Sequence, residues 1–136
     1  MIVLIDTDIL LDIALNRDPF VEYSAKLIDK VEQNIIEGFI AWHTLSNFYY
    51  LIAPSSGKKK TKEFISELLN FVNVSSTHTK SAEYALSLNV PDFEDALQMS
   101  AAKECNADFI VTRNTKHYKK SPIPAVTPKE LLDKIF

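Results

Sequence analysis

Only two glycines occur in the 136 residues, Gly38 and Gly57, and neither belongs to a phosphate-cradling motif. A dinucleotide fold of the G-x-G-x-x-G kind and a P-loop are therefore not expected, because both need glycine where backbone meets phosphate. Cys105 is the only cysteine, so no intrachain disulfide can form and nothing suggests an oxidising compartment. Its helical surroundings fit a small buried hydrophobe. No apolar run approaches the ~20 residues of a membrane span. The opening run Met1 to Ile5 is short and meets Asp6 at once, so no signal peptide is expected and a soluble cytoplasmic protein is. A basic excess is also missing. With 15 Lys and Arg against 18 Asp and Glu, the net charge is −3, which argues against coating nucleic acid by charge alone. It leaves room for a local basic rim.

What is present is a chain with 46% hydrophobic and 10% aromatic residues, enough for one core. A single domain spanning 1–136 is expected. Ile2 to Ile5 is an apolar β-branched run of the kind buried on both faces of a parallel sheet. A helix follows, with Ile9, Leu10, Ile13 and Ala14 on one face. The spacing predicts a second helix, capped by Asp18 with Pro19 in its first turn, running to about Ile36 with Ala25, Ile28, Val31 and Ile35 as its stripe. Gly38 to Ala41 reads as a strand and His43 to Ile52 as a helix. Pro54-Ser55-Ser56-Gly57 reads as the clearest loop. A lysine-rich helix from Lys58, a strand at Val72–Val74, helices from about Thr79 and Pro91, and strands at Phe109–Val111 and Ala125–Val126 complete the alternation. Thr127-Pro128-Lys129-Glu130 is a capping box that opens a last helix. Strands alternating with helices throughout predict an α/β/α sandwich around a mostly parallel sheet.

In such sheets, sites gather at the carboxyl ends of strands. Asp6 stands there after the first strand, with Asp8 and Asp12 beyond it, and Thr112-Arg113-Asn114 follows the strand ending at Val111. Asp92-Phe93-Glu94-Asp95 opens a helix, and Asp92 and Asp95, three apart, share a face. Each acid also has a structural reading. Asp92 is a good N-cap, Glu94 and Asp95 suit a first turn, Asp8 suits a cap, and Asp12 suits a solvated face. Asp6 is the exception, since Thr7 or Asp8 would do any capping job in its place. Gathered carboxylates repel unless a cation sits among them, and hard divalent ions such as Mg²⁺ and Mn²⁺ prefer oxygen ligands. His43, His78 and His117 lack zinc-like spacing. Lys58 to Lys60 with Lys62, and Arg113 with Lys116, Lys119 and Lys120, are either a basic rim for RNA or solvated faces. Trp42, Phe48, Tyr49 and Tyr50 suit a core or dimer interface, with base stacking the other option.

Three stretches together resemble the PIN-domain nucleases, among them the toxin half of bacterial VapBC toxin–antitoxin pairs. They are Ile2-Val3-Leu4-Ile5-Asp6-Thr7-Asp8-Ile9-Leu10-Leu11-Asp12, Asp92-Phe93-Glu94-Asp95-Ala96-Leu97, and Ala107-Asp108-Phe109-Ile110-Val111-Thr112-Arg113-Asn114. The resemblance implies a Mg²⁺- or Mn²⁺-dependent ribonuclease with an acidic pocket. In it Asp6 and Asp95 are the principal acids, Asp92 an extra one, and Thr112 a hydroxyl near metal water or phosphate. Asn47, Asn114, Arg113 and Asp8 would support the site or the substrate. It also implies a homodimer and an antitoxin partner. The chain departs from the family where many relatives carry Glu at the place of Asn47, and some carry Asp at Asn114 or an acid at His117. A neutral amide can bind metal through its oxygen but cannot act as a base. Two other readings stand beside this one. The first is a PIN-like module that binds RNA or protein without catalysis. The second is a haloacid-dehalogenase-type phosphatase with Asp6 as nucleophile, although the Gly-Thr that commonly follows is absent.

Overall fold

The computed structural model describes residues 1–136. Five strands, β1 (Ile2–Ile5), β2 (Glu37–Ile40), β3 (Val72–Val74), β4 (Phe109–Val111) and β5 (Ala125–Val126), form one sheet in the order β3-β2-β1-β4-β5. Every pair is parallel. The strands are short and apolar because alternate residues feed two different cores. Val3, Ile5, Ile40 and Val111 point into one, with helices α1 (Thr7–Ala14), α2 (Val21–Glu32), α3 (Trp42–Ser56), α4 (Lys58–Leu68) and α7 (Pro128–Ile135). Leu4, Phe39 and Ile110 point into the other, with α6 (Phe93–Glu104) and its neighbour α5 (Thr79–Ser87). This period-2 division makes the three-layer sandwich. Gly38 permits the close approach of β2 to α2, since a Cβ there would lie 2.8 Å from Val31 Cγ1 and 3.1 Å from Ile5 Cδ1.

Strand order places β1 and β4 side by side at the centre, although β2 and β3 intervene in sequence. The chain builds outward from β1 through β2 to β3, then returns to build the other way from β4 to β5. The crevice at the carboxyl ends of β1 and β4 is thus the topological switch point, where ligands of open parallel sheets bind. Leu4 pairs with Ile110 and Ile5 with Val111, so Asp6 and Thr112, the next residues, emerge together. The Asp6 backbone N–H donates to the Val111 carbonyl at 2.9 Å and locks this pairing.

Several local expectations are corrected. Asp18 does not cap α2, because the Val21 N–H donates to the Arg17 carbonyl at 2.8 Å and residues 18–20 form a turn ahead of it. Pro19 lies in that turn, and Phe20 precedes the helix without a side-chain cap. Helix α2 stops at Glu32, before Ile36, since Asn34 adopts a left-handed φ of 61°. Its buried residues are Ser24, Leu27 and Val31, while Ile35 is exposed. Pro54-Ser55-Ser56 is not a loop but the last turn of α3. Proline there removes one late helical bond, Gly57 N–H still caps the Ala53 carbonyl at 2.9 Å, and Gly57 at φ 89° makes the break. No helix is long and apolar enough to cross a membrane.

Candidate active site

Asp6 is the centre of the crevice. It caps α1 through a hydrogen bond from Thr7 N–H to its Oδ1 at 2.7 Å, and the same oxygen accepts from Gln98 Nε2 at 3.2 Å. Its Oδ2 accepts from Thr112 Oγ1 at 2.8 Å and from the Tyr118 hydroxyl at 3.1 Å. Four donors, from α1, α6, the end of β4 and the turn that ends at Tyr118, thus fix one carboxylate. Such bonds favour the charged form, and His43 nearby helps, yet burial outweighs them and raises its pKa above the usual carboxylate range. Gln98 is buried on α6, and its amide also lies 3.3 Å from Thr44 Oγ1, which meets Thr7 Oγ1 at 3.0 Å. This polar knot ties α1, α3 and α6 behind Asp6.

Asp8 is held from the β4 side. Its Oδ2 accepts from Arg113 N–H at 3.0 Å and Asn114 Nδ2 at 3.3 Å, while its Oδ1 is buried with no hydrogen-bond partner. Burial, and then the Asp6 charge, push the Asp8 carboxyl up to about 7. Thr112 is fully buried at the end of β4 and has one hydroxyl hydrogen. The 2.8 Å contact to Asp6 takes it in preference to the 3.3 Å contact to Asp8, and Asn114 N–H donates back to Thr112 Oγ1 at 3.1 Å.

The opposite wall is the first turn of α6. Asp92 does cap that helix, its Oδ1 accepting from Glu94 N–H at 2.8 Å. Asp95 is half-buried and meets His117 Nδ1 at 3.5 Å. Its pKa is raised by burial and by Asp92, with His117 opposing. Glu94, which the sequence places merely in a first turn, faces the same crevice as Asn47. Burial, then the charges of Asp6, Asp92 and Asp95, raise its pKa. Asp6, Asp8, Asp92, Glu94 and Asp95 thereby line one open cleft of about 480 Å³, together with Asn47, Asn114 and Tyr50 among others.

Several candidates land differently from their sequence readings, among them Asp6, which does cap α1, and Asp8, which lies within that helix and does not. Asp12 is not on a solvated face: it is fully buried, with Arg113 Nε 2.7 Å from Oδ2 and Arg17 Nη1 3.8 Å from Oδ1. Arg113 also lies over the Phe20 ring at 4.1 Å, so its charge is turned away from the cleft. Among the aromatic residues of α3, Phe48 is buried against Phe64 while Trp42 and Tyr50 are exposed. Gln98 and Tyr118 were missing from the sequence reading. Their only signal was position, since Gln98 lies one turn beyond Asp95 on α6 and Tyr118 four residues past Asn114.

Oxygen donors that raise one another's pKa are a set that a hard cation would relieve. No three His, Cys, Asp or Glu side chains converge tightly enough to cage an ion. The set fits instead a hydrated divalent cation of the kind that keeps several waters and binds through one or two carboxylates. The unpartnered Asp8 Oδ1 beside Asp6 agrees with that fit.

Fold and site together define a parallel α/β protein with an acidic crevice at its switch point. A PIN domain family model matches residues 2–116, and the chain belongs to that family. In structure it is similar to VapBC2 from Rickettsia felis, solved bound to a promoter DNA fragment, with a TM-score of 0.70 and 19% identity over 93% of this chain and 98% of that one. VapBC-1 from nontypeable Haemophilus influenzae gives 0.69 and 16% identity over 95% and 99%. VapC20 from Mycobacterium tuberculosis, a sarcin–ricin-loop-cleaving toxin, gives 0.62 and 13% over 79% and 86%. At these identities the solved structures establish the shared fold. No curated protein matches the sequence.

Proposed function

We propose that this protein is a divalent-metal-dependent endoribonuclease of the PIN/VapC-toxin type, hydrolysing RNA phosphodiester bonds in the acidic cleft. The observation that carries the reading is the convergence of Asp6, Asp8, Glu94 and Asp95 on one cleft at the switch point of the sheet. Asp6 and Asp95 would hold the metal, Mg²⁺ or Mn²⁺, with Asp92 as an outer acid. When bound, such an ion neutralises charge on the phosphate and makes water a better nucleophile.

The chain's own residues do the rest. Thr112, Tyr118, Gln98 and the Thr7 N–H hold Asp6 in a single orientation, and one of these donors would give way where the carboxylate takes a cation. Asp8 lies beside Asp6 on the same cleft and is held there by the Arg113 N–H and Asn114 Nδ2, so its charge adds to the field of the site. Asn114 orients Asp8 as a positioning group, and Asn47 lines the cleft beside Glu94 as a neutral polar group. His117 beside Asp95 is placed to hydrogen-bond at the cleft mouth.

An antitoxin partner is part of the proposal, supported by the VapBC complexes among the structural neighbours. An apolar groove of about 530 Å³ lined by Leu10, Ile13, Ile28, Phe64 and Phe71 offers it a surface. A homodimer is proposed through the exposed Trp42, Tyr50 and Leu51 of α3. A second reading, a PIN-like module that grips RNA or protein without catalysis, is favoured by the neutral Asn47 and Asn114. The test is cleavage of a pool of structured RNAs by the wild type and Asp6→Asn, with Mn²⁺ and with EDTA. Cleavage by the wild type alone, abolished by EDTA, supports the nuclease. Absence of cleavage by a folded wild type that still binds RNA supports the module.

A further inference from the structure

An acidic cleft repels the polyanion it is proposed to cut. A metal compensates the phosphate at the reacting centre, but not the phosphates on either side of it. Those need fixed cations within reach of the cleft, and the protein as a whole carries net charge −3. Arg113 does not serve, because its guanidinium is paired with Asp12 and packed on Phe20.

One place on the surface does. A second groove, of about 450 Å³, is lined by Lys116, Lys119 and Lys120. It shares Asp92, Asp95 and His117 with the acidic cleft, so the two are one continuous depression. All three lysines are exposed. None takes part in any of the ion pairs of the structure, which use Arg17, Lys26, Arg113, His117 and Lys129. The segment that bears them is not a loose loop. Lys116 sits in the 3₁₀ turn Thr115–Tyr118, and buried Tyr118 anchors that turn by donating to Asp6 Oδ2 at 3.1 Å. The cations are thereby held in register with the central carboxylate.

We propose that Lys116, Lys119 and Lys120 form a backbone-phosphate subsite that holds the RNA strand on one side of the reacting phosphate and sets its direction across the cleft. This subsite rests on the nuclease reading for its substrate class but not for its charge arrangement. Phosphate contacts of this kind fix position and affinity without reading sequence. The other lysine run, Lys58 to Lys60 at the start of α4, lines neither groove and takes no part.

The experiment is binding of a fluorescein-labelled oligouridylate to the full chain in EDTA, followed by anisotropy across a salt series. In EDTA, binding is read without turnover. Replacing all three lysines (Lys116→Ala, Lys119→Ala, Lys120→Ala) is expected to weaken binding roughly tenfold or more at low salt and to reduce the slope of log K against log salt by about 2, at ~0.7 per lost phosphate contact. The same three positions changed to Arg are expected to retain both. Lys58→Ala, Lys59→Ala and Lys60→Ala together remove equal charge and are expected to leave both unchanged. An unaltered slope in the first variant, or an equal loss in the Lys58–Lys60 variant, overturns the subsite. Failure of the nuclease reading would look different: lysine-dependent binding would persist while Mn²⁺-dependent cleavage was absent.

Discussion

Replacing Arg113 by Met is the perturbation that tests most of the architecture around the site. Asp12 has no exposed side-chain surface, and Arg113 Nε approaches it to 2.7 Å while the Arg113 side chain keeps 25% of its exposure. Removing one partner of a buried pair leaves a charge without compensation, which costs about 3–5 kcal/mol. Two features set the expectation at the low end. Arg17 lies 3.8 Å from the other Asp12 oxygen and takes over part of the charge, and methionine keeps much of the packing on Phe20. We therefore expect a loss of about 3 kcal/mol in urea unfolding at neutral pH. Burial already raises the Asp12 pKa against the pull of Arg113 and Arg17, so without Arg113 it rises further. A raised carboxyl contributes its stability at low pH and loses it as pH rises through the folded value. The deficit of Arg113→Met should accordingly shrink on acidification. The double variant Asp12→Leu with Arg113→Met, which removes both charges, should recover most of the loss. A loss under about 0.5 kcal/mol, the range of ordinary surface substitutions, or no recovery in the double variant, would refute the reasoning.

Three further outcomes follow from the site and the sheet. Because the Asp8 pKa is raised to about 7, metal-free protein should lose stability as pH rises from about 5 to 8, a fall that Asp8→Asn flattens and saturating Mn²⁺ reverses; thermal melts in EDTA and in Mn²⁺ check this. Tyr118→Phe removes one donor that lowers the Asp6 pKa, so that pKa should rise further, with a cost of about 1 kcal/mol and the acid limb of the cleavage pH profile moved upward. Gly38→Ala would set a Cβ 2.8 Å from Val31 Cγ1, and denaturant unfolding should show a loss of about 1–3 kcal/mol with cleavage chemistry retained.

Much of the fold was legible because single residues carried it. The buried run Ile2–Ile5 could only be an interior strand, and Thr127 with Glu130 announced the last helix, whose capping box the structure contains. The errors arose where tertiary contact overrode local chemistry. Pro54 reads as a breaker, yet in a last helical turn it forfeits only one bond. Asp12 reads as solvated because helical spacing alone cannot see Arg113, which is 101 positions away and reaches it only through the β1–β4 pairing. The same pairing explains the candidate site. Asp6 and Thr112 were recognisable as strand ends, but their adjacency depends on the crossover in strand order. Gln98 and Tyr118 look like ordinary helix and turn residues until α6 and the 3₁₀ turn close over Asp6. Glu94 reads with Asp92 and Asp95 as a first-turn acid, and its place beside Asn47 requires α3 to lie against the same cleft.

If this cleft is the proposed metal site, Asp6 and Asp95 hold a divalent cation there. The most direct measurement is an electron paramagnetic resonance titration of Mn²⁺ into the wild type, Asp6→Asn and Asp95→Asn, with circular dichroism confirming that each is folded. A saturable Mn²⁺ site is expected in the wild type, lost in Asp6→Asn and weakened at least tenfold in Asp95→Asn. Equal Mn²⁺ binding by all three folded proteins would contradict it.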